Sequence, residues 1–434
     1  MAHATARSAW SDLVDRLNRF PQGAPPSERL DRILRILFSE REAALVSVLP
    51  IRPFTLATAA RVWKTAPDDA RRTLEALAER ALLLDVTHGE ETRWVLPPPM
   101  AGFFEFSMMR VRGDVDQKAL AELFWGYLNE EEDFARALFG RGETQLGRVF
   151  VNEDALPEDD ALEVLDWERA SEVARTSRDV GVGVCYCRHK MSHLGKACDA
   201  PMEICLTFGS TAASLVRHGF ARKADSGEAL ELLARAREEG LVQFGENVRR
   251  RPAFICNCCG CCCEALLAQR RFGFLKPVHT TGFVPEVDAE RCSGCGKCVE
   301  ACPVEAMGSF SANDARAPKK RLARVEESRC LGCGVCVPAC RTGGLRLVRR
   351  PERVIPPLTT VHRTVAMALE RGQLAELLFD DRTLASHRIL GAVLGAILRL
   401  PPVRRGLASG QVKSRYLEAV IARLGPRGGD ASPV

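Results

Sequence analysis

The sequence predicts a multidomain protein of the α+β class. Its 434 residues are enough for two to four domains. Apolar residues recur at helical spacing in the first and last parts of the chain, whereas short apolar runs bounded by turn residues predict strands near residues 83–96 and in the middle of the chain. All eighteen cysteines lie between residues 185 and 340. This distribution separates a cysteine-rich centre from helical segments on either side.

The first part of the chain is predicted to be helical and to end in a hairpin. Residues 1–26 are expected to be a loosely held leader, because Gln-Gly-Ala-Pro-Pro at 22–26 cannot continue a helix. Helices are then predicted from residue 27 onward, followed by strands at 83–87 and 92–96 around a turn. Helices followed by a hairpin are similar to a winged helix-turn-helix. Residues 27–97 are therefore predicted to form a winged-helix-like module.

The charge of this module argues against DNA binding. Residues 67–80 contain four acidic residues and three arginines. A helix that reads DNA is expected to carry positive charge on its exposed face, because it must approach phosphates. We therefore favour a protein-docking or purely structural role for the module.

Residues 98–160 are predicted to be a helical linker region. Three consecutive prolines at 97–99 mark its beginning. The segment is rich in aromatic side chains, which indicates packing, and it contains no pattern of catalytic residues. Its aromatic residues include Phe103, Phe104, Phe106, Phe124, Trp125, Tyr127 and Phe134.

Residues 161–275 are predicted to form an α/β domain that binds metal. A buried strand at 180–184 leads to a first group of cysteines, and a strand at 253–255 leads to a second group. Since functional residues often follow the strands of such domains, the two groups are expected to converge on one site. The ten cysteines are Cys185, Cys187, Cys198, Cys205, Cys256, Cys258, Cys259, Cys261, Cys262 and Cys263.

Six cysteines within eight residues, at 256–263, are typical of metal ligands. Adjacent thiolates repel one another unless a polynuclear metal core neutralises them, so an additional iron–sulfur cluster is favoured over zinc. Two groupings of ligands remain open. One joins the two groups of cysteines across the strand ends, and the other is the complete set Cys185, Cys187, Cys198 and Cys205.

Basic side chains and histidines lie among these thiols. Arg188 and Lys190 are predicted to offset the charge of a cluster and thereby to raise its reduction potential. His189 and His193 are candidates for a ligand or for a hydrogen-bond donor to a cluster sulfur, although a supporting role is favoured.

The most specific motif lies between Cys292 and Cys340. The pattern C-x₂-C-x₂-C-x₃-C occurs twice, which is the iron–sulfur spacing of bacterial ferredoxins. In such pairs the fourth cysteine of each copy ligates the other cluster. The predicted ligands are Cys292, Cys295, Cys298 and Cys340 for cluster A, and Cys330, Cys333, Cys336 and Cys302 for cluster B. Positive φ is predicted for Gly294, Gly296, Gly332 and Gly334.

Residues 284–348 resemble the bacterial ferredoxin domain that carries two [4Fe–4S] clusters. Zinc knuckles fit less well, because zinc sites usually separate two C-x₂-C pairs by a longer loop. There are two departures from the ferredoxin pattern, a long linker between the copies and Arg341 in place of the proline that normally follows the fourth cysteine. Neither departure removes a ligand.

The chain as a whole resembles a family of incompletely characterised bacterial iron–sulfur proteins. These combine a winged-helix-like module, a cysteine-rich centre and a dicluster ferredoxin domain. The resemblance rests on Cys-Tyr-Cys-Arg at 185–188 and on Ile-Cys-Asn-Cys-Cys-Gly-Cys-Cys-Cys at 255–263. It implies an iron–sulfur redox role and assigns no substrate.

Residues 351–425 are predicted to form a helical, basic tail. From residue 351 to the end there are twelve basic and seven acidic residues, which account for the whole formal charge of +5. An amphipathic helix is predicted at 360–378, and an apolar segment at 389–398 is flanked by Arg388, Arg399, Arg404 and Arg405. A bilayer needs about 20 apolar residues, so this segment is too short to span one. Packing against protein is favoured, and peripheral membrane contact stays open. Residues 425–434 are expected to be disordered.

Electron transfer between redox protein partners is the leading functional hypothesis. The sequence offers no evident acid–base residues and no glycine-rich nucleotide fingerprint. Clustered cysteines without a recognisable signal peptide predict a cytoplasmic location, peripheral to the inner membrane if the tail makes contact. Two alternatives are a reductase with a catalytic central cluster and a redox-sensing regulator that uses the winged-helix-like module. The sequence therefore leaves open whether the chain is an enzyme.

Overall fold

The computed structural model describes residues 8–156, 165–273, 276–313, 315, 318–352 and 354–400. The chain forms two compact units. The first contains the described residues of Met1–Thr144, Ser210–Ala221 and Thr359–Val434, and the second contains those of Gln145–Gly209 and Arg222–Leu358. The segment predicted to be disordered, 425–434, and the predicted flanking residues Arg404 and Arg405 lie outside the described residues.

The first unit begins with helix α1, Ala9–Arg19. The prediction of a loosely held leader is therefore wrong for the described part of this segment. Ser8 caps the helix by accepting a hydrogen bond from the N–H of Ser11 at 3.2 Å. Leu13 and Leu17, which are one helical turn apart, are buried. Their burial holds the segment in place because the apolar face is removed from water.

The first unit also contains four further helices and a three-stranded sheet, whose first strand lies between the second and third of these helices. The helices are α2, Glu28–Leu37; α3, Glu40–Ser47; α4, Leu56–Trp63; and α5, Pro67–Ala78. The strands are β1, Phe54–Thr55; β2, Leu84–His88; and β3, Glu91–Val95, in the sheet order β1-β3-β2 with antiparallel pairing. Asp85 of β2 accepts a hydrogen bond from Ser214 at 2.5 Å and pairs with Arg217. These contacts fix the hairpin to helix α11, Gly209–Arg217.

The aromatic segment forms part of the interior of the first unit. Its regular helices are α6, Phe104–Ser107; α7, Gln117–Trp125; and α8, Glu132–Phe139. The rings of Phe103 and Phe104 meet edge to face with centroids 4.9 Å apart. Phe124 and Tyr127 pack against the same group and are buried. The segment therefore serves packing, because its large side chains are turned into the core.

Three helices form the described part of the tail. They are α15, Thr360–Glu370; α16, Leu374–Leu378; and α17, Ala385–Arg399. The single helix predicted at 360–378 is divided in two, and Gly372 adopts a φ of +71° at the break. On α17, Ile389 and Val393 are exposed. Within the residues that the structure describes, no helix is both long enough and apolar enough to cross a membrane.

A six-stranded sheet organises the second unit. The strands are β4, Gly147–Val149; β5, Val180–Val184; β6, Glu203–Phe208; β7, Ala221–Ala224; β8, Val242–Glu246; and β9, Phe254–Cys258. Their order is β4-β8-β9-β6-β5-β7. The pairings β4–β8, β8–β9, β9–β6 and β6–β5 are antiparallel, unlike the parallel sheet that the term α/β usually denotes. Because β6 lies between them, β5 and β9 run in the same direction and end at the same edge.

Helices cover the sheet of the second unit and support the cysteine segments. They are α9, Ala170–Thr176; α10, Tyr186–His193; α12, Ser226–Glu238; and α13, Glu264–Phe272. Residues of α9 and α12 share a core with β5, β6 and β9. Leu266 of α13 belongs to a different core, together with Val242 of β8 and Cys258 of β9.

The paired cysteine motifs lie in loops and one short helix of the same unit, between short strands. Strand β10, Phe283–Val287, pairs with β13, Leu345–Arg349, and β11, Met307–Ser311, pairs with β12, Arg321–Val325. A short helix, α14, spans Lys297–Glu300. Both pairings are antiparallel. The first motif loop lies beside β12 and the second beside β10, at Gly294 and Gly332 respectively.

Candidate iron–sulfur and metal centres

The four predicted ligands of cluster A line one cavity. Cys292, Cys295, Cys298 and Cys340 all contribute to its wall. The backbone N–H of Ala323 donates a hydrogen bond to the Cys292 sulfur over 3.5 Å. Cys295 is exposed, whereas Cys298 is buried. The four residues therefore fit a [4Fe–4S] cluster with one edge turned to solvent.

The four predicted ligands of cluster B are less exposed. Cys330 and Cys336 are buried, and Cys302 and Cys333 are half-buried. Burial raises the pKa of Cys333 to about 12 and that of Cys336 well above its ordinary value. Metal binding at these positions must therefore displace protons. Backbone N–H groups of Ala306 and Gly332 donate to the sulfurs of Cys302 and Cys330 at 3.2 and 3.4 Å.

Glycine is required in both motif loops, as the sequence predicts. Gly294 and Gly296 have φ values of +69° and +79°, and Gly332 and Gly334 have +68° and +80°. A Cβ on Gly294 would lie 2.2 Å from the carbonyl oxygen of Arg321. A Cβ on Gly332 would lie 2.1 Å from the corresponding atom of Phe283. The loops thus approach β12 and β10 more closely than any side chain permits.

The ten central cysteines come from four neighbouring elements. Cys185 and Cys187 lie at the start of α10, directly after β5. Cys205 is near the start of β6, and Cys198 precedes that strand. Cys256 and Cys258 lie on β9, and the others occupy the loop that leads into α13. Since β5 and β9 end at one edge where β6 begins, the expected convergence of the two cysteine groups is observed.

Six of these thiols form a closed ring, which we call the six-thiol ring. Each member lies close enough to two others to shift their pKa values. In order around the ring, the members are Cys185, Cys187, Cys263, Cys258, Cys256 and Cys205. Four of the six residues are buried, and Cys187 and Cys256 are half-buried.

The pKa shifts alternate around the ring. Interaction with Cys205 and Cys258 lowers the pKa of Cys256 to about 6. Interaction with Cys185 and Cys263 raises the pKa of Cys187 well above its ordinary value. The same alternation continues around the other members, because ionisation of one thiol disfavours ionisation of its neighbours. Thiols this close together ionise fully only beside positive charge, which a metal core supplies.

The remaining four thiols form a second, tighter set, which we call the four-thiol group. Cys198, Cys259, Cys261 and Cys262 have all their sulfurs within 4.8 Å of one another. The sulfur of Cys198 lies 3.5 Å from that of Cys259 and 3.8 Å from that of Cys262. Cys262 is fully buried and Cys261 is exposed.

The predicted set Cys185, Cys187, Cys198 and Cys205 is divided between these two groups. Cys198 lies with residues of the second cysteine segment, and the other three lie in the six-thiol ring. The alternative that joins both segments across the strand ends corresponds to the observed arrangement. Which cysteines lie together depends on the strand register, which cysteine spacing alone does not reveal.

Arg188 is fully buried beside both groups of thiols. Its two terminal nitrogens each donate to a backbone carbonyl oxygen, those of Pro201 and Asn257, at 2.8 Å. Desolvation lowers the pKa of this guanidinium, but charge interaction with Cys185, Cys259 and neighbouring thiols outweighs it and raises the pKa. The Nε–H has no hydrogen-bond partner among the described residues. A cluster sulfide in the ring would be a suitable hydrogen-bond acceptor for the Arg188 Nε–H.

A buried ion pair links the two helices that carry ring members. Lys190 of α10 pairs with Glu264 of α13, and these side chains are 0 and 7% exposed. Desolvation lowers the pKa of Lys190 to about 8, and the thiols Cys187 and Cys263 act in the opposite direction. The pair holds together the helix starts that supply these two cysteines.

The two candidate histidines face each other on α10. The Nε2 atoms of His189 and His193 lie 3.2 Å apart, which requires one donor and one acceptor. Their rings are tilted at 40° with centroids 4.9 Å apart. Neither belongs to the four-thiol group.

Comparison with known proteins decides the nature of the paired motifs. Residues 291–344 match the family model described as a 4Fe-4S dicluster domain. This segment is a ferredoxin-like iron–sulfur domain. The match confirms the predicted motif, and together with the central cysteines it supports an iron–sulfur electron-transfer protein. Comparison with curated proteins and comparison with solved structures gave no match.

The ferredoxin-like domain packs directly against the central cysteines. Cys330 shares one hydrophobic core with Cys258 and Cys263, and Cys302 is packed against it. A Cβ on Gly260 would lie 2.7 Å from the carbonyl oxygen of Pro303. The cluster B ligands, rather than those of cluster A, therefore border the central thiols.

A matched glycine pair tests the loop geometry. Replacing Gly294 with Ala should remove one cluster, about four irons per chain, because the new methyl group meets a backbone carbonyl. Replacing Gly296 should cost only the strain of positive φ, about 1–2 kcal/mol, since nothing lies within 4 Å of the added atom. Iron quantitation after anaerobic purification measures both. Equal iron in the two variants would contradict the argument.

A charge-removal series tests the buried ion pair. Replacing Lys190 with Met should destabilise the second unit by about 3–5 kcal/mol, because the buried carboxylate of Glu264 then loses this ion pair. Replacing both residues, with Leu at 264, should recover most of this loss. The measurement is the midpoint of denaturant unfolding followed by cluster absorbance. A double variant as unstable as the single one would exclude the ion pair as the cause.

Proposed function

We propose that this chain is an electron-transfer protein with two [4Fe–4S] clusters in the ferredoxin-like domain and an additional iron–sulfur cluster in the six-thiol ring. Bound clusters of this kind accept and release single electrons. The observation that carries the proposal is the shared core of Cys258, Cys263 and Cys330, which joins the ring to the cluster B ligands. This contact makes the ferredoxin-like domain an electron supply for the centre.

The fit of the ring to a polynuclear cluster rests on three features. It brings together six thiols, which are enough to ligate a polynuclear cluster. Its neighbour Arg188 has a buried N–H without a protein acceptor among the described residues. Arg188 is fully buried and is held by neutral carbonyl groups, so its positive charge favours binding of an anionic cluster.

The exposure of the ligands supports an order from the surface to the interior. Cys295 is exposed, Cys330 is 8% exposed and Cys258 is 5% exposed. A redox protein partner is therefore expected to dock beside Cys295, where a bound cluster comes closest to solvent. We propose that electron exchange with this partner takes place in the cytoplasm, because metal-binding thiols must stay reduced.

We also propose a winged-helix-like arrangement for residues 27–97. The order of α2 to α5 and the antiparallel sheet β1-β3-β2 support it. The exposed face of α5 carries Asp68, Asp69 and Glu75 beside its arginines, and Arg72 pairs with Asp69. This charge pattern favours docking of protein over binding of DNA.

Metal analysis of the full-length chain tests the proposed function. After anaerobic purification, iron and sulfide should reach about twelve or more of each per chain, against about eight for the ferredoxin-like domain alone. Mössbauer spectra should show a third component. A value of eight, with no third component, would overturn the central iron–sulfur cluster.

A pair of cysteine variants assigns the additional iron to the ring. Replacing Cys187 with Ala should lower the iron content and leave the spectroscopic signal of the ferredoxin-like domain, because a ring ligand is lost. Replacing Cys261, which lies outside the ring, should leave the iron content unchanged. Iron that is insensitive to the change at Cys187 would refute its role as a ligand.

A further inference from the structure

The four-thiol group differs from the six-thiol ring in its dimensions. The sulfurs of Cys198, Cys259, Cys261 and Cys262 all lie within 4.8 Å of one another. Separations of 3.5, 3.7 and 3.8 Å are found for three of the sulfur pairs. Among the described residues, these four thiols form the group of candidate metal ligands whose ligand atoms all lie this close together.

These separations match a single tetrahedral ion. Zn–S bonds of about 2.3 Å place the sulfurs of a tetrahedron about 3.8 Å apart. A [4Fe–4S] core instead inserts four irons and four sulfides between its ligands, which forces the ligand sulfurs farther apart. We propose that Cys198, Cys259, Cys261 and Cys262 bind one Zn²⁺ ion in a closed four-thiolate site, separate from the iron–sulfur centres.

The surroundings of the group suit this ion. Four thiolates and one divalent cation leave two negative charges, and the buried guanidinium of Arg188 interacts electrostatically with Cys259. A tetrahedral set of four sulfur ligands without an open position is typical of structural zinc. Cys262 is fully buried, Cys198 and Cys259 are half-buried and Cys261 is exposed, so the site lies at the surface with one ligand anchored in the interior.

The position of the ligands in the chain gives the ion a structural role. Cys259, Cys261 and Cys262 lie between Cys258 and Cys263, which are both members of the six-thiol ring. An ion bound by these three thiols and by Cys198 ties this loop to the segment that precedes β6. The ion therefore stabilises this loop and takes no part in electron transfer itself.

Zinc analysis of the full-length protein tests the site without relying on activity. The wild-type chain, purified anaerobically without added metal, should contain about one zinc ion per molecule. X-ray absorption at the zinc edge should show four sulfur neighbours at about 2.3 Å. Absence of zinc, or a single iron bound by four thiolates in its place, overturns the proposal.

Two variants separate this site from the proposed electron-transfer centre. Replacing Cys261 with Ala should abolish bound zinc and leave iron unchanged, whereas replacing Cys187 with Ala should lower iron and retain zinc. Cys261 is exposed, so its truncation spares the core. Loss of iron equal to the loss of zinc in the Cys261 variant would refute separate sites. Unchanged iron in the Cys187 variant would refute only the cluster in the ring.

Exchange with Co²⁺ provides a readout that needs no variant. Cobalt bound by four thiolates in a tetrahedron absorbs visible light strongly, and this absorption should appear as zinc is displaced. An octahedral cobalt spectrum would contradict the closed thiolate site.

Discussion

The direction of three adjacent strands determines where the central thiols lie. Strand β6 pairs antiparallel with both β5 and β9, so the last two end at the edge where β6 begins. Cys205 consequently lies opposite Gly183 on one side and next to the β9 residue Cys256 on the other. An irregularity in the pairing between Gly183 and Val184 changes the path of the chain just before Cys185.

The register of β9 matters as much as its direction. Cys256 and Cys258 are two residues apart and share a face, whereas Asn257 points the other way and donates to the carbonyl oxygen of Ile204 at 2.6 Å. A slip of one residue would exchange these faces and remove both thiols from the ring. The hydrogen bond of Asn257, which is fully buried, therefore helps to specify the metal centre.

Charge is the second constraint on this part of the molecule. Ten thiols occupy a small volume, and thiolates in a buried site need positive charge nearby. Lys190 shares its charge with Glu264, whereas Arg188 is held by neutral carbonyl groups. Arg188 therefore supplies the uncompensated positive charge, and its place one residue after Cys187 explains the sequence Cys-Tyr-Cys-Arg.

The sequence predicts those features that depend on local spacing. The paired motifs, the positive φ of Gly294 and Gly332, strand β5 and the hairpin β2–β3 all follow from short patterns. Strand β6 is missed although its residues are largely apolar, and helix α10 is missed because its residues are mostly polar and form no continuous apolar face. The division of ten cysteines into six and four could not be predicted, since it depends on which strands are neighbours. In addition, the two ferredoxin motifs have the same cysteine spacing but different surroundings in the folded chain.

That difference concerns the two halves of the ferredoxin-like domain. Their cysteine spacing is the same, yet Cys295 is exposed while its counterpart Cys333 lies against the core of the central domain. Solvent exposure and hydrogen bonds to sulfur set the reduction potential of a cluster, so equal motifs acquire unequal properties. The asymmetry arises from the packing of α13 and the loop at Gly260 onto the segment from Cys302 to Glu305. Packing of the central cysteine loop against one half thus converts a symmetric repeat into an ordered path, in which the exposed half can meet a partner and the covered half faces the six-thiol ring.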